Sequence, residues 1–376
     1  MKLQREALVA LLACLLAGCT SGGSASIEKR LQQMTLREKV GMMFIVRPES
    51  LEPDSCYYAV VLHGTGAQAV TEQMKEKAAQ YPMGGVILFS ENIHDPAQLK
   101  AFTADLKALP SHPLLFVDEE GGRVCRLAGN PAFGLPHYPD MGQLAGSGRT
   151  KDVYEAAHTM GTYLKEYGFD VNLAPVADVN TNPHNTVIGT RAFSNDPDVA
   201  ASMVKSFVKG MLKTGMKCCL KHFPGHGDTT ADSNYGYAMS RKNWEEIAEC
   251  ELIPFQAGIR AGVPMVMMAH IALPNVTGSN TPASLTAKFL QEKLRGELGF
   301  KGVVMTDSME MGAILRQYSL EDACIMAIKA GVDMLHCVWF YPQVFDAVVA
   351  AVRRGEIPES RIDESVRRIL ILRGGK

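Results

Sequence analysis

The sequence has no surplus of basic charge: 38 Lys and Arg stand against 40 Asp and Glu, a net charge of −2 at neutral pH. A nucleic-acid binder needs a basic field to hold phosphates, so that class is excluded. The nine cysteines include no C-x-x-C pair, which removes the usual structural zinc sites. No G-x-G-x-x-G motif follows the first apolar strand, so the dinucleotide-binding fingerprint is missing. Sequence repeats and low-complexity segments are missing too. The apolar run from Ala7 to Ala17 is too short to span a bilayer as a mature helix. What remains is a 376-residue chain, 47% hydrophobic and 21% charged, with ample material for a large core.

The N-terminus reads as a targeting segment. A basic start, Met1-Lys-Leu-Gln-Arg5, precedes the apolar run, and Leu16-Ala-Gly-Cys19 follows it. This resembles a bacterial lipoprotein signal peptide, which implies residues 1–18 as the signal and Cys19 as the lipidated first mature residue. Residues 19–26 then form a small-residue tether, and residues 27–376 the folded domain. The expected location is the cell envelope, with the lipid holding the chain to a bacterial membrane on its periplasmic or extracellular face. Most of the other cysteines lie in apolar contexts, which predicts buried free thiols rather than a disulfide framework.

Past the tether, short apolar runs alternate with amphipathic stretches. Strands are predicted at Val40–Val46, Gly84–Phe89, Leu114–Val117, Val171–Asp178, Gly215–Leu220, Met265–His270, Gly302–Thr306 and Val332–Cys337. Helices are predicted between them, among them Asp95–Leu109, Lys151–Tyr167, Pro197–Thr214, Trp244–Ala261 and Ala287–Leu298. Continuous apolar runs belong to strands buried on both faces. Eight such strands joined by helices point to the α/β class, as a (β/α)8 TIM-type barrel.

The segment following the fifth strand is the densest in chemistry: Lys221-His-Phe-Pro-Gly-His226-Gly-Asp228, then Asp232 and Asn234. Other strand ends deliver Asp118 with Arg123 and Arg126, Asp178 with Arg191, His270, and Asp307. In a barrel these converge on one mouth, where such donors and carboxylates suit a polyhydroxylated ligand. His222 and His226 are four apart, but the Pro-Gly between them removes the helix that a two-His metal motif requires. The pair Glu119-Glu120 is read as support for the loop after strand three or for its arginines.

Four segments, KHFPGHGDTTADS, DEEGGRV, GTRAFSNDP and VVMTDSMEMGA, resemble the signature segments of glycoside hydrolase family 3, in its single-domain β-N-acetylglucosaminidase branch. The similarity covers nearly all of residues 27–376. It implies a barrel that removes terminal β-linked N-acetylglucosamine with retention, from peptidoglycan-derived muropeptides first and chitooligosaccharides next. Asp307 matches the family nucleophile, and Asp118, Arg126, Arg191, Lys221 and His222 match the residues that grip the sugar. No metal or organic cofactor is implied.

One position departs from the family pattern. Asp232 matches the Asp that pairs with the acid/base His, but Asn234 occupies the His position itself. An amide does not titrate near neutral pH, and general acid/base catalysis contributes about 10²–10⁴-fold. Three readings stay open on the sequence: an impaired hydrolase, an active one using Asp232, His226 or Asp228 instead, or a sugar-binding lipoprotein with weak catalysis. A β-glucosidase specificity is a further alternative.

Overall fold

A computed structural model describes residues 25–53, 60, 62–229, 238–336 and 339–374. The expectations for Cys19, Asp232 and Asn234 therefore lie outside the described residues. Eight parallel strands form the centre: β1 (Phe44–Val46), β2 (Gly85–Leu88), β3 (Leu114–Val117), β4 (Val171–Asn172), β5 (Lys217–Phe223), β6 (Met265–Met268), β7 (Val303–Thr306) and β8 (Leu335–His336). Their hydrogen-bonded order is β7-β6-β5-β4-β3-β2-β1-β8. A parallel bridge between Met305 and Met334 joins the two ends, and the Thr306 N–H donates to Met334 O at 3.1 Å. The sheet thus closes on itself as the predicted (β/α)8 barrel. Its strands are buried on both faces apart from the first residue of β5, which is why they read as unbroken apolar runs.

Helices surround the strands, and several begin on signals visible in the sequence. Asp95 accepts from the Ala97 and Gln98 N–H groups and precedes Pro96, opening the helix Pro96–Lys107. Asp196 does the same for Pro197–Lys213, accepting from Asp198 and Val199. The two helices that follow β8 are Tyr341–Arg353 and Glu359–Leu372. Among the described residues no helix is long and apolar enough to cross a membrane. The five described cysteines, Cys125, Cys218, Cys219, Cys250 and Cys324, carry free thiols.

Three boundaries differ from expectation, each for a local reason. Thr35 and Glu38 form a capping box that starts the helix Leu36–Met42, so Val40 to Met42 are helical and β1 begins only at Phe44. The predicted helix Trp244–Ala261 is two, Trp244–Ala248 and Leu252–Arg260. Pro254 has no N–H to donate and is accommodated in the first turn of the second, where N–H groups lack intrahelical partners anyway. After Asn172, the missing N–H of Pro175 interrupts the β4 ladder, and pairing resumes as a single bridge from Val176 to Lys221. Strand β5 in turn runs on through Phe223, so Lys221 and His222 stand on the strand itself.

Candidate active site

The strand ends named in the sequence meet around one cavity of about 420 Å³, within the range of roughly 300–1,000 Å³ usual for small-molecule sites. Asp118, Arg126, Arg191, Lys221, His222 and Asp307 all line it. His226 lines it as well, whereas Asp228 is turned away to Ser240 Oγ at 2.8 Å and Lys242 Nζ at 3.7 Å. Among the described residues no three His, Cys, Asp or Glu side chains are grouped to hold a metal ion.

One wall is an ionic lattice. Lys221 Nζ lies 2.7 Å from Asp118 Oδ1 and 2.6 Å from Glu120 Oε1. Arg191 grips Glu120 through two parallel bonds of 2.9 and 2.8 Å, and Arg126 approaches Asp118 Oδ2 at 3.5 Å. Burial by itself would raise both carboxyls. Lys221 and Arg126 outweigh it at Asp118 and hold that group well below the usual carboxylate range. At Glu120, Arg191 and Lys221 do the same, down to about 2. The Lys221 ammonium answers in kind: burial opposes its charge, yet Asp118 and Glu120 raise its pKa above the ordinary value. The neighbouring Glu119 accepts the Arg126, Leu127 and Ala128 N–H groups at 2.7, 2.9 and 2.9 Å, shaping the loop that carries Arg126. Glu119 thus holds the loop after strand three as expected, whereas Glu120 reaches across to Arg191 and Lys221, which lie after β4 and on β5.

The floor is built by β5. Asp178, fully buried, accepts from His222 Nδ1 at 2.7 Å and from the His226 N–H at 2.7 Å. A carboxylate only accepts, so His222 carries its proton on Nδ1 and leaves Nε2 for the cavity. His226 Nδ1 is 2.7 Å from Thr229 Oγ1, which also lies 2.9 Å from the His226 carbonyl. Burial together with His222 lowers the pKa of His226. Gly227 brings this loop against the one after β4: a Cβ there would stand 1.8 Å from Val179 O.

Asp307 follows β7 and is half-buried. Its N–H donates to Met268 O at 2.9 Å, and its Oδ1 accepts the Ser308 N–H at 2.7 Å. Burial opposes its charge, but the imidazoles of His222, His270 and His336 keep its pKa below the ordinary value. His270 does this from behind. Its Nε2 donates to Ser308 O at 2.9 Å, and its Nδ1 accepts from Ser284 Oγ at 2.7 Å, so the ring fixes the backbone beside the carboxylate.

Several cavity residues were not singled out from the sequence. Arg47 follows β1, stacked over Phe89 at 4.3 Å and Trp339 at 4.9 Å. His336 ends β8, a polar residue closing an apolar strand, which was its one visible signal. Glu310 sits inside the motif that delivers Asp307, but nothing local shows that it turns into the cavity.

A closed parallel barrel with a carboxylate at the end of β7, facing charged and hydrogen-bonding side chains across a sugar-sized cavity, defines a glycoside hydrolase of the (β/α)8 type. Residues 35–372 match the family described as glycosyl hydrolase family 3, N-terminal domain. The chain belongs to glycosyl hydrolase family 3. A β-hexosaminidase of Stenotrophomonas maltophilia is 35% identical over 299 residues, covering 78% of this chain and 87% of that protein. β-Hexosaminidase A of Pseudoalteromonas piscicida is also 35% identical, over 70% of this chain, which spans about half (47%) of that longer protein. Among solved structures, a family 3 β-N-acetylglucosaminidase from a Paenibacillus species superposes with a TM-score of 0.82 at 33% identity, covering 91% of this chain and 62% of its own.

Proposed function

We propose that this chain is a retaining, exo-acting β-N-acetylglucosaminidase that removes terminal β-linked N-acetylglucosamine, with peptidoglycan fragments as its substrate class. The observation that carries this reading is Asp307: a carboxylate at the end of β7, fixed by the Ser308 N–H and open to the cavity. The named activities of the hexosaminidases and of the Paenibacillus enzyme support the choice of sugar. In this mechanism Asp118, Arg126, Arg191, Lys221 and His222 hold the sugar. An Asp307 oxygen attacks the anomeric carbon, a glycosyl-enzyme ester forms, and water releases the sugar with its configuration retained. Asp232 and Asn234 occupy the positions of the family's proton-transfer pair, and the amide of Asn234 supplies no proton.

Asp307→Asn is the direct test. Hydrolysis of aryl β-N-acetylglucosaminides should fall by about 10⁴-fold or more, with the thermal midpoint preserved. Comparable hydrolysis by the variant would remove Asp307 from the mechanism. Faster cleavage of aryl glucosides than of N-acetylglucosaminides would replace the sugar specificity.

A second reading is kept because of Asn234: a sugar-binding lipoprotein that turns substrate over slowly. Tight binding of N-acetylglucosamine without release of product would favour it. In either reading Cys19 carries the lipid, on the strength of Leu16-Ala-Gly-Cys19. Cys19→Ala should then move the protein from the detergent phase to the aqueous phase on partition, and an unchanged partition would exclude lipidation at Cys19.

A further inference from the structure

Retaining hydrolysis needs a group that protonates the departing oxygen and then deprotonates water. Four carboxyls among the described residues line the cavity: Asp118, Glu120, Asp307 and Glu310. Asp118 and Glu120 are committed to Lys221, Arg126 and Arg191. Asp307 is the attacking group. Glu310 alone has no ion-pair partner among the described residues; one of its oxygens, Oε1, accepts the Trp339 N–H. That leaves Oε2 as the oxygen that can carry a proton. Arg47, whose charge acts on Glu310, is diverted: it pairs with Glu91 and, at 3.5 Å, with Glu49, and it stacks on Phe89 and Trp339.

The histidines fit the role less well. Burial and His222 lower the pKa of His226, which leaves it short of a proton near neutrality. His222 spends its Nδ1 proton on Asp178, and burial lowers the pKa of His336. We infer that Glu310 is the proton donor and acceptor of this cavity. The inference rests on the hydrolytic reading above. In the first step the Asp307 carboxylate bonds to the anomeric carbon while the bond to the departing oxygen breaks. The electron pair stays with that oxygen, which takes the proton from Glu310 Oε2. In the second step the Glu310 carboxylate takes a proton from water as the water oxygen bonds to the anomeric carbon. The ester bond to Asp307 breaks, and Asp307 recovers its electron pair.

The environment suits both steps. Burial raises the Glu310 carboxyl to about 7, against weaker lowering by the Trp339 N–H and Arg47, so both protonation states are populated near neutrality. The other charged and titratable groups lining its cavity are Arg47, Asp307 and His336 nearby in the fold, with Asp118, Glu120, Arg126, Arg191, Lys221, His222 and His226 completing the wall and floor.

The test compares wild type with Glu310→Gln, which keeps an acceptor for the Trp339 N–H, on dinitrophenyl and unsubstituted phenyl β-N-acetylglucosaminides. The phenyl substrate should lose about 10²–10⁴-fold in kcat/KM, while the dinitrophenyl substrate, whose departure needs no proton, should lose far less. The basic limb of the pH profile should vanish in the variant. In Glu310→Ala, azide should restore turnover by forming the β-glycosyl azide. Equal losses on both substrates with the basic limb unchanged would mean that Glu310 is only structural, whatever its effect on the thermal midpoint. If wild type cleaves neither substrate, the hydrolytic reading fails and this assignment with it.

Discussion

The barrel buries two clusters of opposite charge, one at each end, and they differ in where their hydrogen bonds point. At the lower end Asp333, just before β8, is wholly buried. It accepts the Val304 N–H at 2.9 Å, Ser365 Oγ at 2.7 Å, Arg295 at 2.5 Å and Arg368 at 2.8 Å, with Arg361 at 3.6 Å. The arginines spend further donors on backbone carbonyls: Arg295 on Gly302 O at 2.6 Å, Arg361 on Val332 O at 2.8 Å. The Asp333 carboxylate itself meets only protein donors, beside the Met305–Met334 bridge that closes the sheet. At the upper end Lys221, Arg126 and Arg191 meet Asp118 and Glu120 with comparable ion-pair distances, yet all five side chains border open space. The Asp118 side chain is 13% exposed against 0% for Asp333, although Arg126 and Arg368 are alike at 25% and 26%. Similar ingredients therefore serve two ends: a cluster centred on a wholly buried carboxylate ties strands to helices, and a lattice with one free side is preorganised to meet a ligand.

Breaking the lower cluster should cost stability and leave chemistry alone. Asp333→Asn leaves three partly buried arginines without their anion, at a cost of roughly 3–5 kcal/mol. Urea unfolding should show that loss, while the fraction still folded keeps its kcat and KM. A change in kcat would mean that the two ends are coupled.

The upper cluster should reveal itself through pH. Glu120 titrates at about 2 in the fold and at its ordinary value of 4.5 when unfolded, so it binds fewer protons in the folded state. Its contribution, roughly 3 kcal/mol, is fully present above pH 4.5 and disappears as pH falls toward 2. Glu120→Gln should flatten the acid side of the stability profile in that window, and an unaltered acid side would contradict the lattice.

His270 sharpens the comparison from outside both clusters. It touches the Ser308 carbonyl rather than the cavity, so it acts as a positioning residue. His270→Ala should lower kcat by about 10–10²-fold with KM little affected, and should lower the thermal midpoint as well, because the buried ring leaves a cavity. His270→Gln, which can still donate to Ser308 O, should recover part of the loss; no difference between the two variants would remove this role.

Much of this was legible in the chain. Apolar runs marked all eight strands, and polar residues at their ends named Asp118, Arg126, Arg191, Lys221, His222 and Asp307 as neighbours in one cavity. What escaped was whatever depends on distant partners. Asp178 finds His222 44 residues away, which turns a candidate ligand contact into a buried anchor. Asp333 collects arginines 38 residues upstream and 35 downstream, and nothing in the local pattern distinguishes it from a surface carboxylate. Glu310 lies three residues past Asp307 in a motif read for Asp307 alone; its burial and its lack of a cation exist only after β7, β8 and β1 come together. The Val40–Met42 segment was misread because an apolar run outweighed the capping box ahead of it.

The central claim is that Asp307 forms a covalent bond to the sugar. Rapid acid quenching of the enzyme during turnover of the dinitrophenyl N-acetylglucosaminide, followed by intact-mass and peptide mass spectrometry, tests it most directly. The account predicts one added N-acetylhexosaminyl group, mapped to Asp307, and β-configured product from the remaining mixture. An adduct on another residue, or α-configured product without any adduct, would contradict it.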